Sequence, residues 1–83
     1  MDGESIVNDL VGYANELCLV TGWDLETTTN PDNVHILFKC DNYAMGTSID
    51  LDSAGACLDS ACNILDEVVV VFTKELKERG IEH

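Results

Sequence analysis

The stretch Val34-His35-Ile36-Leu37-Phe38-Lys39-Cys40, then Asp41-Asn42, then Tyr43-Ala44-Met45-Gly46-Thr47-Ser48-Ile49 decides the fold. Asp-Asn suits a two-residue turn, because both residues tolerate a positive φ better than most. A hairpin closed there pairs Cys40 with Tyr43, Phe38 with Met45, Ile36 with Thr47 and Val34 with Ile49. Side chains alternate with period two, so these eight residues share one face. The other face receives His35, Leu37, Lys39, Ala44, Gly46 and Ser48. Slipping the register by one residue would scramble that division.

Upstream, Trp23, Leu25, Thr27 and Thr29 alternate with Asp24, Glu26 and Thr28, the pattern of a strand. Asn30-Pro31-Asp32-Asn33 reads as a turn, with Pro setting φ and the Asx side chains bridging their own backbone. That loop places Thr29 opposite Val34, Thr27 opposite Ile36, Leu25 opposite Phe38 and Trp23 opposite Cys40. The apolar sides of both hairpins therefore coincide. On the opposite face Asp24 lands across from Lys39, an expected cross-strand ion pair.

Helices flank this meander. From Ser5 to about Thr21, Ile6, Leu10, Tyr13, Leu17 and Val20 recur at helical spacing, with Val7, Val11, Ala14 and Cys18 alongside. Ser5 or Asp2 is the expected cap, and Gly22 the left-handed stop. After Leu51, Asp52 or Ser53 is expected to cap a second helix running to Gly80. Its stripe is Leu58, Ala61, Leu65, Val68, Phe72 and Leu76, widened by Cys57, Ile64 and Val71. Val68-Val69-Val70-Val71-Phe72 has strand propensity, but length and the lack of turn residues favour helix. Val70 then falls in the polar row. The predicted fold is α+β in the order α-β-β-β-α, a three-stranded antiparallel meander with two helices packed on one face. Residues 1–83 form a single domain, too short for a second core.

Sixteen acidic residues against four basic ones give a formal charge of −12. Lys74, Lys77 and Arg79 are balanced locally by Glu75, Glu78 and Glu82. Residues 1–73 hold thirteen acids and only Lys39, so the imbalance lies on the body of the domain. Such a surface repels nucleic acid and anionic membranes, and attracts basic proteins. Met1-Asp-Gly-Glu-Ser has no basic n-region and no long apolar run follows. No signal peptide is expected, and the protein is assigned to the cytoplasm. Cys18, Cys40, Cys57 and Cys62 sit inside apolar patterns whose spacing suits neither a disulfide scaffold nor a zinc ribbon, so free buried thiols are expected.

Catalytic and metal patterns are weak. Asp50-Leu51-Asp52-Ser53-Ala54-Gly55 resembles a calcium loop but fails at Ala54 and at Ala61, where a bidentate Glu is needed. Cys57 and Cys62 fall about 140° apart on a helix and cannot share a metal. His35 lies opposite Ser48 with no third group to orient it, and His83 is terminal. No Gly-rich phosphate loop exists. An enzyme is not expected, nor a cofactor or metal.

What remains is the acidic surface. Asp9 and Glu16 project from the first helix, and Asp59, Asp66 and Glu67 from the second. Asp24, Glu26, Asp50 and Asp52 gather around the open sheet face, and Asp32 and Asp41 lie at the loop ends. Carboxylates on a rigid domain can stand in for phosphates in a basic groove. In topology and charge the whole chain resembles small acidic phage-encoded inhibitors, including anti-CRISPR proteins that imitate DNA. That resemblance implies a basic nucleic-acid-binding partner, such as a CRISPR effector, met in the host cytoplasm. The alternative is a self-associating assembly module, a homodimer formed through the open sheet face at Leu37 or through Val70, with the charge serving solubility.

Overall fold

A computed structural model of the chain describes residues 3–80, with side chains from Ser5. The elements follow as α1 (Gly3–Thr21), β1 (Asp24–Thr29), β2 (Asn33–Cys40), β3 (Tyr43–Asp50), α2 (Leu51–Ala56) and α3 (Leu58–Glu78). The strands form one antiparallel sheet in the order β1-β2-β3. Both hairpins take the register expected from their turns, Leu25 to Phe38 and Thr29 to Val34 in one, Cys40 to Tyr43 and Val34 to Ile49 in the other. Of the two turn residues Asp41 alone takes a positive φ, 55°, the conformation that Asx residues tolerate better than most. The first loop is closed by Asn30 N–H on the Asn33 carbonyl, and Leu51 N–H reaches the Asp32 carbonyl.

The core lies between one sheet face and the helices. Val34, Ile36 and Phe38 are fully buried beneath Leu10 of α1 and Leu65 and Phe72 of α3. Trp23, after the left-handed stop at Gly22 (φ 80°), packs its ring against Phe38 and Phe72, with centroids 6.0 and 4.7 Å away. Its indole Nε1 is buried without a hydrogen-bond partner, so the residue stabilises through its ring area. The run Val68–Phe72 is helical.

Four local expectations are corrected. First, α1 begins at Gly3, so Ser5 lies inside it; Asp2, the other expected cap, falls outside the described residues, as do Glu82 and His83. Second, the single C-terminal helix is two, parted at Cys57, whose backbone is extended (φ −152°, ψ 96°). Cys57 ends α2 by donating its N–H to Ser53 and opens α3 by accepting from Ala61. The only weak helix former nearby is Gly55, two residues before the break. Packing accompanies the bend: α2 buries Ala54 and lays Gly55 against Ile6, while α3 turns back along the sheet. Third, the cap of α2 is Asp50, whose carboxylate accepts the Asp52 N–H at 3.0 Å. Asp50 and Asp52 thereby serve a helix start, not a calcium loop.

The fourth correction concerns the apolar stripe of α3. Cys57, Ile64 and Val71 are exposed, and Cys62 and Val69 are packed against the core instead. The stripe widens toward α1 because α1 lies alongside. Tyr13 meets Asp66 and Trp23 meets Phe72, so the two helices run parallel.

Candidate interaction surface

Parallel packing of α1 and α3 brings acids from both helices to one seam. Asp9 and Glu16 lie seven residues apart on α1, as do Asp59 and Asp66 on α3, a rise of about 10 Å in each row. The centre of the seam is Tyr13, whose hydroxyl donates to Asp66 Oδ1 at 2.5 Å. That hydrogen bond, with burial and the nearby charges of Asp66 and Glu16, pushes the Tyr13 phenol up to about 12. Burial raises the Cys62 thiol, and Asp59, Asp66 and Asp9 raise it further. Four carboxylates thus act on two adjacent side chains.

No cation neutralises this seam. The two ion pairs among the described residues are Lys39 to Glu26 at 2.9 Å and Arg79 to Glu75 at 3.8 Å, both elsewhere. Asp9, Glu16, Asp59 and Glu67 are exposed, and Asp66 is half-buried beneath Tyr13.

The remaining acids lie apart. Asp24 and Glu26 occupy the open face of β1, Asp32 and Asp41 sit at the two loop turns, and Asp50 and Asp52 at the start of α2. The eleven acids therefore surround the molecule instead of forming one patch. Lys39 faces Asp24 by register but reaches diagonally to Glu26, whose carboxyl it holds below the usual range by hydrogen bonding. His35 Nδ1 lies 3.0 Å from Ser48 Oγ on the exposed sheet face. Glu26 is close enough to feel His35, yet its hydrogen bond goes to Lys39, so His35 has no orienting carboxylate. A nucleophile–base–orienter set is not assembled there.

Of the two residues expected in self-association, Leu37 is half-buried and lies over Gly46. Val70 is 67 % exposed on the outer side of α3. The four cysteines are free, as expected, but Cys57 is exposed and not buried. The Ser60 hydroxyl donates to its sulfur at 3.3 Å and lowers the thiol below its ordinary range. Sequence patterning missed this because it placed Cys57 in the buried apolar stripe of one continuous helix, whereas it lies exposed at the junction of two. In contrast, burial raises Cys18, Cys40 and Cys62. A thiol reagent at neutral pH is expected to label Cys57 at least tenfold faster than the other three, because the thiolate is the reacting species. Peptide mapping after brief alkylation checks this, and equal labelling of Cys62 would contradict it.

These features define a small α+β domain with an unneutralised acidic seam, no group of three or more His, Cys, Asp or Glu placed to hold a metal among the described residues, and no helix long and apolar enough to cross a membrane. Comparison with protein-family models, curated proteins and solved structures finds no match to this chain.

Proposed function

We propose that this chain is a non-enzymatic, acidic protein-binding module that occupies a basic, nucleic-acid-binding surface of a partner protein, in the manner of a DNA mimic. The observation that carries this reading is the α1–α3 seam, where Asp9, Glu16, Asp59 and Asp66 converge on Tyr13 and Cys62 without a cation. The supporting quantity is linear charge density. Side chains 5–80 include thirteen acids and four bases, a net −9 along a molecule 43 Å long and 19 Å wide. That is roughly one charge per 5 Å, against one per about 1.7 Å for duplex DNA and one per about 3.4 Å for each of its strands. A basic groove built for phosphates would meet a field of the same sign at lower density.

The test is capture by the immobilised protein at low salt, followed by elution with duplex DNA in place of salt. DNA is expected to release the partner, since both compete for one site. Asp59→Lys with Asp66→Lys should weaken capture by roughly 100-fold, because each reversal replaces attraction with repulsion. A partner that DNA leaves bound, or one retained equally by the double variant, removes the proposal.

A further inference from the structure

We propose that two copies of this chain associate through β3, edge to edge, to form a continuous six-stranded sheet with the α3 helices side by side. This inference stands independently of the acidic seam.

The two sheet edges differ. The β1 edge carries Asp24 and Glu26 and runs into Pro31, three of the features that discourage strand addition. The β3 edge has no such protection. Tyr43 to Ile49 contains no charge and no proline, and its pairing with β2 is continuous over all eight residues without a bulge. Because Cys40 and Tyr43 close the two-residue turn as a hydrogen-bonded pair, the N–H and C=O groups of Ala44, Gly46 and Ser48 point away from β2. All three residues are exposed.

An apolar flank continues this edge. Tyr13 and Cys62 identify the side of α3 that faces α1. Glu75 marks the opposite side, lining a cleft with Tyr43, Ala44 and Met45 of β3. Ile64 and Val71 lie at helical spacing on that β3 side, 40 % and 49 % exposed, with Val68 between them and the core. On a molecule of charge −12 the uncharged run Tyr43 to Ile49 lets two copies pair strand to strand with no carboxylate opposite another, and Glu75, on the same side of α3, is paired with Arg79. A two-fold axis near Gly46 and Thr47 pairs β3 antiparallel with itself and keeps both α3 helices on one side of the joined sheet. Ile64 and Val71 of each copy then face their counterparts.

Sedimentation at about 100 µM, enough to populate a dimer of micromolar affinity, is expected to show dimers. Raising salt should preserve or tighten them by screening the acids that bracket the strip, whereas it weakens binding through the acidic seam. Val71→Glu is expected to give monomers, and Val70→Glu, one residue away on the outer side of the helix, to leave the dimer intact. Both positions are exposed, so folding survives in both variants. Hydrogen exchange at the amides of Ala44, Gly46 and Ser48 should slow as concentration rises. A protein that is monomeric at this concentration, a dimer that both variants or neither disrupt, or amide exchange independent of concentration overturns the proposal.

Discussion

Gly46→Ala is expected to destabilise the domain by about 3 kcal/mol or more, lowering the melting temperature by more than roughly 10 °C. The residue is not held in a left-handed conformation; what it supplies is space. A Cβ at this position would lie 2.4 Å from the Ile36 carbonyl oxygen, 2.9 Å from Leu37 Cδ1 and 3.0 Å from Leu37 Cα. The Leu37 methyl could swing aside, but the two backbone atoms move only if β2 and β3 part. Gly46 and Leu37 are directly paired, so the Leu37 side chain uses the room that a second side chain would fill. Gly12→Ala supplies the opposite control. It lies in the middle of α1 with nothing within 4 Å, so a methyl there should stabilise by about 0.5–1 kcal/mol through helix propensity. Urea denaturation of the two variants measures both signs. If Gly46→Ala cost no more than an ordinary surface substitution, the close approach of β2 and β3 would be wrong.

The contrast between Gly46 and Cys57 shows what the chain discloses of itself. Strand register was legible because two turns of fixed length, Asp41-Asn42 and Asn30–Asn33, align the same apolar alternation independently, and a slip would expose Val34, Ile36 and Phe38 together. Helix α1 was legible for a similar reason, with periodicity and a Gly22 stop that agree. The break at Cys57 was not, since Ala54, Leu58, Ala61 and Leu65 keep helical spacing across it and the one weak helix former nearby, Gly55, lies inside α2. The bend goes with where Ile6 and the sheet sit, a tertiary arrangement without a local signature. The acidic seam was half legible. Each carboxylate could be put on the outside of its helix from spacing alone, but parallel packing of α1 and α3, which joins Asp9 and Glu16 to Asp59 and Asp66, depends on where α2 turns the chain. The diagonal choice of Lys39 for Glu26 over Asp24 is likewise a matter of side-chain reach, which register does not decide.

Phe38→Ala is the second large effect, with an expected loss of about 3–5 kcal/mol. For a chain of this length total stability is roughly 4–12 kcal/mol, so the variant should lose from about a quarter to all of its stability, read as a large fall in the urea midpoint. Phe38 lies on the central strand, fully buried, with Leu25 and Met45 beside it by register and the Trp23 ring edge-on at 6.0 Å. Removing the ring leaves a void bounded by two strands already committed to their hydrogen bonds and by a tryptophan that also packs against Phe72, so the site has little room to collapse. The neighbour Leu37 provides the discriminating comparison. It is of similar apolarity but points to the open face, half-buried over Gly46, and its truncation to alanine should cost about 1–2 kcal/mol. Trp23 fluorescence followed through urea denaturation reports both, and it should report Phe38→Ala most directly because the two rings touch. A one-residue slip of β2 would exchange the two positions, making Leu37→Ala the costly change and Phe38→Ala the mild one. The order of these two losses therefore tests the register on which the edge strand and both helix contacts depend.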